Sequence, residues 1–425
     1  MAEFIKLSPD TLRQLRTVDE LLVSYNVEMT EVTGGTFWKA YSPEEIAGTK
    51  PFEGPVGSLA NHTAMAALMQ FYPPIDLKSE KLRKLAKDIG PAWVRVSGTW
   101  STKTYYDFDG KMGGKSPEGY TAANFVRDQD LFNRWLHENY PGCLAVGPCS
   151  TVGIIGEDGD NALGGGIADV MPSVSTDELM DGATEPMEVY SYHYYNGVSE
   201  RLQSIMPMAH WSPEKAHTEE YLAVAPGMAR SNAPLRDRYV PGGQMWVTES
   251  GDAGGGGDTW ASTYLDVLRT LNELGGFSAV TDGIIFHNTL ASSDYGYLKP
   301  EVFDPRPNFF AVVLWNRLMG TTVYDAAEPI REGAHVYAHS RHDGKPGKAY
   351  LVINNSMTET TTVELPGKAE IYQLTAETPR ASVMQCNGKA LTLGEGYALP
   401  AMDPVAAEGT LTLPALSCTF IVTEG

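Results

Sequence analysis

The run Met245-Trp-Val-Thr-Glu249-Ser has three apolar residues, a threonine and then a carboxylate, with the glycine-rich stretch Gly254 to Gly257 just beyond. A carboxylate at the end of a short strand can serve as a nucleophile or as a general acid or base. Taken alone, Glu249 is equally well explained as a solvent-facing strand end. Two further runs end in reactive groups: Tyr190-Ser-Tyr-His-Tyr-Tyr195, and Phe286-His287-Asn288 followed by Ser292-Ser-Asp-Tyr295-Gly. If the three ends converge, one carboxylate would sit among tyrosines, imidazoles and the indoles of Trp100, Trp246 and Trp260. That combination suits a sugar, whose faces stack on aromatic rings while its hydroxyls take polar partners. A generic polar mouth explains the same residues as well.

Other reactive residues have plainer readings. His62, His137, His210 and His217 read as surface or structural groups. Thr184-Glu185-Pro186 precedes a strand and reads as a loop. Gly164-Gly165-Gly166 lacks the following Lys-Ser/Thr of a phosphate loop. The four cysteines, Cys143, Cys149, Cys386 and Cys418, have no zinc-site spacing and are too few for a disulfide framework.

The elements that must position these residues follow from hydrophobic periodicity. Strands are predicted over 23–32, 92–97, 144–147, 189–195, 245–249 and 283–287. Helices are predicted over 80–89, 122–140, 259–274 and 309–318, with Gly275-Gly276 ending the third. The alternation is that of βα units around a parallel sheet, whose C-terminal rim carries the chemistry in a (β/α)8 barrel. Beyond residue 325, short strands split by Gly, Pro and Asn predict an all-β sandwich. The expected architecture is therefore an α/β, TIM-type barrel over 1–325 followed by a β-sandwich over 326–425.

The 425 residues carry 32 Lys and Arg against 53 Asp and Glu, a net charge of −21. That field repels nucleic acid and densely sulfated polyanions. No run of about eighteen apolar residues is present, which predicts no membrane span. The N-terminal residues carry no targeting signal, consistent with residence in the cytosol or export with a leader removed.

Several runs together resemble glycoside hydrolase family 79, the β-glucuronidases and heparanases. They are Ser24-Tyr-Asn-Val-Glu-Met-Thr-Glu-Val-Thr-Gly-Gly35, Val94-Arg-Val-Ser-Gly-Thr-Trp100, Ser191-Tyr-His-Tyr-Tyr195, Trp246-Val-Thr-Glu-Ser250 and Ser293-Asp-Tyr-Gly-Tyr297. Pro305-Arg-Pro-Asn-Phe-Phe and Leu314-Trp-Asn-Arg-Leu-Met-Gly-Thr-Thr322 continue the series. The resemblance implies a retaining mechanism with Glu249 as nucleophile and Tyr194 beside it. It implies that Tyr295 helps hold the sugar carboxylate and that Glu28, Thr99 and His193 line the sugar site. No metal or organic cofactor is implied. The substrate would be a small glucuronide or a uronic-acid-containing oligosaccharide.

One feature of that family is missing from the sequence. Its acid/base is the Glu of an Asn-Glu-Pro motif ending the fourth strand, and the chain has no Asn-Glu-Pro. Only 46 residues, 98 to 143, separate two predicted neighbouring strands, which predicts that the third and fourth barrel strands are absent. Glu157, Asp158, Asp107 and Glu188 lie near strand ends, but none stands out as a substitute. Two functional readings stay open: a β-glucuronidase-like hydrolase, or a catalytically weak or inactive uronic-acid-binding protein.

Overall fold

A computed structural model describes residues 3–54, 66–98, 119–150, 174–204 and 206–425. Six strands form one parallel sheet: β1 (Val23–Glu28), β2 (Val94–Ser97), β3 (Val146–Ser150), β4 (Val189–Tyr195), β5 (Gln244–Gly251) and β6 (Gly283–Thr289). Their order across the sheet is β2-β1-β6-β5-β4-β3. Among the described residues β2 and β3 are the two edges; Thr99, Trp100 and the rest of 99–118 lie outside them, as do Asp107, Glu157 and Asp158.

Side chains alternate across each strand, and the alternation divides the sheet. Val23, Tyr25 and Val27 of β1, Tyr190, Tyr192 and Tyr194 of β4, and Met245 and Val247 of β5 share one buried core with the helices. Those helices are α1 (Glu80–Ile89), α2 (Ala122–Asn139), α3 (Val224–Tyr239), α4 (Tyr264–Ser278) and α5 (Pro307–Leu318). Leu82, Leu85 and Ile89 of α1, Leu268 and Leu271 of α4, and Phe309 and Val313 of α5 join that core. The other face of the sheet carries Asn26, Glu28, Arg95, His193 and Glu249, and it is the face that matters for chemistry.

Two helices depart from the sequence reading. α3 contains Pro226, Gly227 and Pro234, helix-breaking types that mask its periodicity. α4 runs through Gly275-Gly276 to Ser278 instead of stopping there. Both glycines are packing residues, since a Cβ at Gly275 would strike the Tyr337 ring and one at Gly276 would strike Pro226.

Gly35–Trp38 and Met69–Tyr72 pair as a two-stranded sheet, and the remaining strands build two larger ones. In the larger, β7 (Met319–Tyr324), β8 (His335–Arg341), β9 (Lys348–Asn354), β10 (Ala369–Thr375) and β11 (Ser417–Thr423) pair in the order β10-β11-β9-β8-β7. The smaller joins Glu3–Lys6, Thr361–Glu364 and Thr410–Leu413. Ile5, Val336, Val352, Val363, Ile371, Leu413 and Ile421 form a core shared by both. These sheets draw strands from both sides of residue 325: Glu3–Lys6 pairs with Thr361–Glu364, and Gln14–Thr17 pairs with β7.

Candidate active site

Strict alternation along β5 would place Glu249 with Met245 and Val247, buried under the helices. A β-bulge prevents this. Val247 pairs with Tyr192 and Glu249 with His193, so Thr248 is an extra residue on β5. Bulges re-aim side chains in this way and are frequent beside active sites. Beyond the bulge, Glu249 shares a face with His193 and Tyr195, while Ser250 turns outward to donate a hydrogen bond to Glu273 of α4 (3.0 Å).

Three groups converge on the Glu249 carboxylate. Arg95 Nη1 donates to Oε1 at 2.7 Å, the Tyr195 hydroxyl donates to Oε2 at 2.7 Å, and His193 Nδ1 lies 3.5 Å from Oε2. Arg95 is itself oriented by Asn26 Oδ1 at 3.2 Å. The contacts come from β1, β2 and β4, so one carboxylate gathers side chains from across the sheet. Burial, with the nearby Glu249 charge, raises the Tyr195 phenol well above its ordinary value, so it stays a donor at neutral pH.

Glu28 ends β1 in the same region and is buried. Burial pushes its carboxyl up to about 8, Glu249 and Glu31 add to the rise, and Arg95 opposes it. Glu31, one turn on, is also pushed up to about 8 by burial. Its carboxylate accepts the N–H groups of Glu28 and Ala291, each at 2.7 Å, and so ties the loop after β6 to the end of β1. Tyr295 is fully buried on that loop; burial raises its phenol well above the ordinary value, followed by the charges of Glu28 and Glu249.

The structure thus brings together Glu249, His193, Glu28 and Tyr295. Tyr194 goes elsewhere: it faces α4, where burial and then the Glu273 charge raise its phenol against the opposing Arg269, and Tyr195 stands against Glu249 instead. Thr99 lies outside the described residues. Trp246 packs against Trp93 and Trp260 against Tyr221, so neither indole stands beside Glu249. Glu188 precedes β4 at the opposite end of the sheet, accepting the N–H of Ala145 at 2.7 Å. His210 lies 3.6 Å from Asp258 and His137 lies 3.2 Å from Glu188.

Sequence reasoning missed Arg95, Asn26 and Arg201. The first two lie within the quoted runs, two residues before Ser97 and Glu28, so strand alternation on those ends could have found them. Arg201 is buried, donates to the carbonyls of Lys39 and Gly257 and to Asp294, and stacks 3.7 Å from the Tyr41 ring centre. It clamps the rim loops that carry Tyr295. No periodicity marks it.

Several known proteins are similar to this chain. The baicalin-β-D-glucuronidase of Scutellaria baicalensis is 24% identical over 81% of this chain and 66% of its own length. Heparanase-like protein 1 of Arabidopsis thaliana is 25% identical over 56% of this chain and 50% of its own. The chain is similar to β-glucuronidase and heparanase-type glycoside hydrolases, in keeping with the resemblance to family 79. It spans half to two thirds of the length of those two relatives. The inactive heparanase-2 of Homo sapiens also matches, at 23% over 44% of this chain and 36% of its own. A solved 4-O-α-L-rhamnosyl-β-D-glucuronidase from Fusarium oxysporum 12S shares the fold, with TM-score 0.54 and 12% identity over 99% of this chain and 100% of that one. No family model matches the chain.

Proposed function

We propose that the chain is a retaining glycoside hydrolase acting on β-glucuronides, with Glu249 as the nucleophile. The observation that carries this reading is the Glu249 carboxylate at the C-terminal rim, oriented by Arg95 and Tyr195 at 2.7 Å each. A nucleophile of this kind attacks the anomeric carbon as an ionised carboxylate and forms a glycosyl ester that water then hydrolyses. Arg95 and Tyr195 fix the attacking oxygens, and His193 borders the same oxygen as Tyr195. In this reading Glu28 and Tyr295 meet the sugar, Tyr295 toward its carboxylate, and Thr99 joins them on the sequence resemblance. The parallel sheet corresponds in this reading to a TIM-type barrel within 1–325, and the β-sandwich over 326–425 also takes in the strands Glu3–Lys6, Gln14–Thr17 and Met319–Tyr324. The substrate is a small glucuronide or a uronic-acid-containing oligosaccharide, and the reaction needs no cofactor.

A second reading rests on the missing Asn-Glu-Pro motif. Without the acid that this motif supplies, about 5–5.5 Å from the nucleophile in retaining enzymes, leaving-group protonation and water activation both suffer. The cost is roughly 10²–10⁴-fold in rate, and less for an activated aryl leaving group. In the limit, the same pocket retains uronic acids without cleaving them. Hydrolysis of an aryl β-glucuronide by the wild-type chain and by Glu249→Gln separates the two. The hydrolase reading expects release by the wild type and background in the variant. Equal rates leave only binding.

A further inference from the structure

Glu28 sits where a carboxylated sugar would meet an excess of negative charge. Its carboxyl is buried at the end of β1 and packed against Gly98 so tightly that any side chain there would overlap it. Facing it are Glu31 from the turn that follows, Glu249 from β5, Arg95 from β2, and the phenols of Tyr195 and Tyr295. Three carboxyls thus meet one guanidinium, and that guanidinium already bonds Glu249 at 2.7 Å. Glu31 is held by two backbone N–H groups and is committed to the loop. A bound uronate would add a fourth acid to this set.

We propose that Glu28 meets the sugar as a neutral carboxylic acid, donating its proton to the ligand, and that this proton is what admits a carboxylated sugar. The proposal rests on the glucuronide reading above. A carboxylic acid offers one O–H donor, whereas a carboxylate only accepts and repels a like charge. Burial and the two neighbouring glutamates keep the proton in place up to about pH 8. Above that, the fraction of chains able to take a uronate falls tenfold per pH unit, and apparent affinity falls with it. A neutral sugar is much less affected, because a hydroxyl can rotate to donate to the ionised form.

The test uses phenyl 1-thio-β-D-glucuronide and phenyl 1-thio-β-D-glucoside, whose thio linkage resists hydrolysis. Their binding to the wild-type chain and to Glu28→Gln is measured by calorimetry from pH 5.5 to 9.5. For the wild type, the glucuronide should weaken about tenfold per unit above pH 8 while the glucoside stays within threefold. In Glu28→Gln, a permanently neutral donor, the glucuronide should stay within threefold throughout. A flat wild-type glucuronide profile, or an identical fall in the variant, overturns the proposal. Infrared difference spectra of the ligand-free proteins read the proton directly: the wild type should show a protonated-carboxyl band that Glu28→Gln lacks and that titrates near pH 8. Absence of that difference band at pH 6.5 overturns the neutral acid whatever binds. If the band is present and the glucuronide fails to bind at pH 6, the substrate reading is what fails.

Discussion

At the scale of single residues, the site depends on two donors 2.7 Å from the Glu249 oxygens. A hydrogen bond to a charged group contributes about 1.5–3 kcal/mol, or roughly 10- to 100-fold in rate. Tyr195→Phe removes one of them and should lower kcat/KM for an aryl glucuronide by that factor. Tyr194→Phe removes a buried hydroxyl that has no hydrogen-bond partner among the described residues, so kcat/KM should stay within twofold and stability should hold or rise slightly. Steady-state kinetics on the two variants checks both. The sequence placed Glu249, His193 and Tyr295 in one neighbourhood because each ends an apolar run or follows one. The resemblance put Tyr194 beside the nucleophile, where Tyr195 stands instead. Which of the two stands there depends on where the alternation starts, and on β5 an extra residue at Thr248 resets it.

At the scale of elements, the rim is held by packing and buried charge that leave little trace in the sequence. Arg201 and Asp294 form a buried ion pair at 2.6 Å. Arg201→Met would leave Asp294 buried without its cation, at a cost of about 3–5 kcal/mol. Urea unfolding should show a lower midpoint, with Asp294→Asn on the same background recovering part of the loss. Gly275 makes a second case. Alanine improves helix propensity by about 1 kcal/mol, but its methyl group would strike Tyr337 in an overpacked contact that costs about 1–3 kcal/mol. Gly275→Ala should therefore lower Tm, and a rise would contradict the packing argument. α1, α4 and α5 were legible because their apolar residues recur at helical spacing. The end of α4 was misread, because a glycine kept for close approach looks the same as a glycine that stops a helix. α3 was hidden by its two prolines.

At the scale of the whole molecule, buried titratable groups set how stability varies with pH. Burial pushes Glu28, Glu31 and Asp252 up to about 8. These acids ionise near their usual values in the unfolded chain but near 8 in the folded one. Their contribution is full at low pH and is lost as pH rises from about 4 to 8. His339 works in the other direction, because burial lowers it to about 4. The unfolded chain takes that proton below 6.5, so stability from His339 is present above 6.5 and is lost toward pH 4. Between pH 6.5 and 8 only the acids are changing, and calorimetry should show Tm falling across that interval. A rising Tm there would contradict the assignment of buried neutral acids.

The fold as a whole was readable as a parallel βα sheet with a β-rich remainder. The pairing of the first strand, Glu3–Lys6, with Thr361–Glu364 was not, since no local pattern announces a contact across most of the chain. The central claim concerns one covalent bond, and a mechanism-based label tests it most directly. A 2-deoxy-2-fluoro-β-D-glucuronosyl fluoride carries a leaving group that needs no proton donor, so it reports on the nucleophile whatever supplies the acid. Mass spectrometry after incubation should find one added fluoro-glucuronosyl group on the peptide containing Glu249, and none on Glu249→Gln. A label on another residue, or an unlabelled wild-type chain, would contradict Glu249 as the nucleophile.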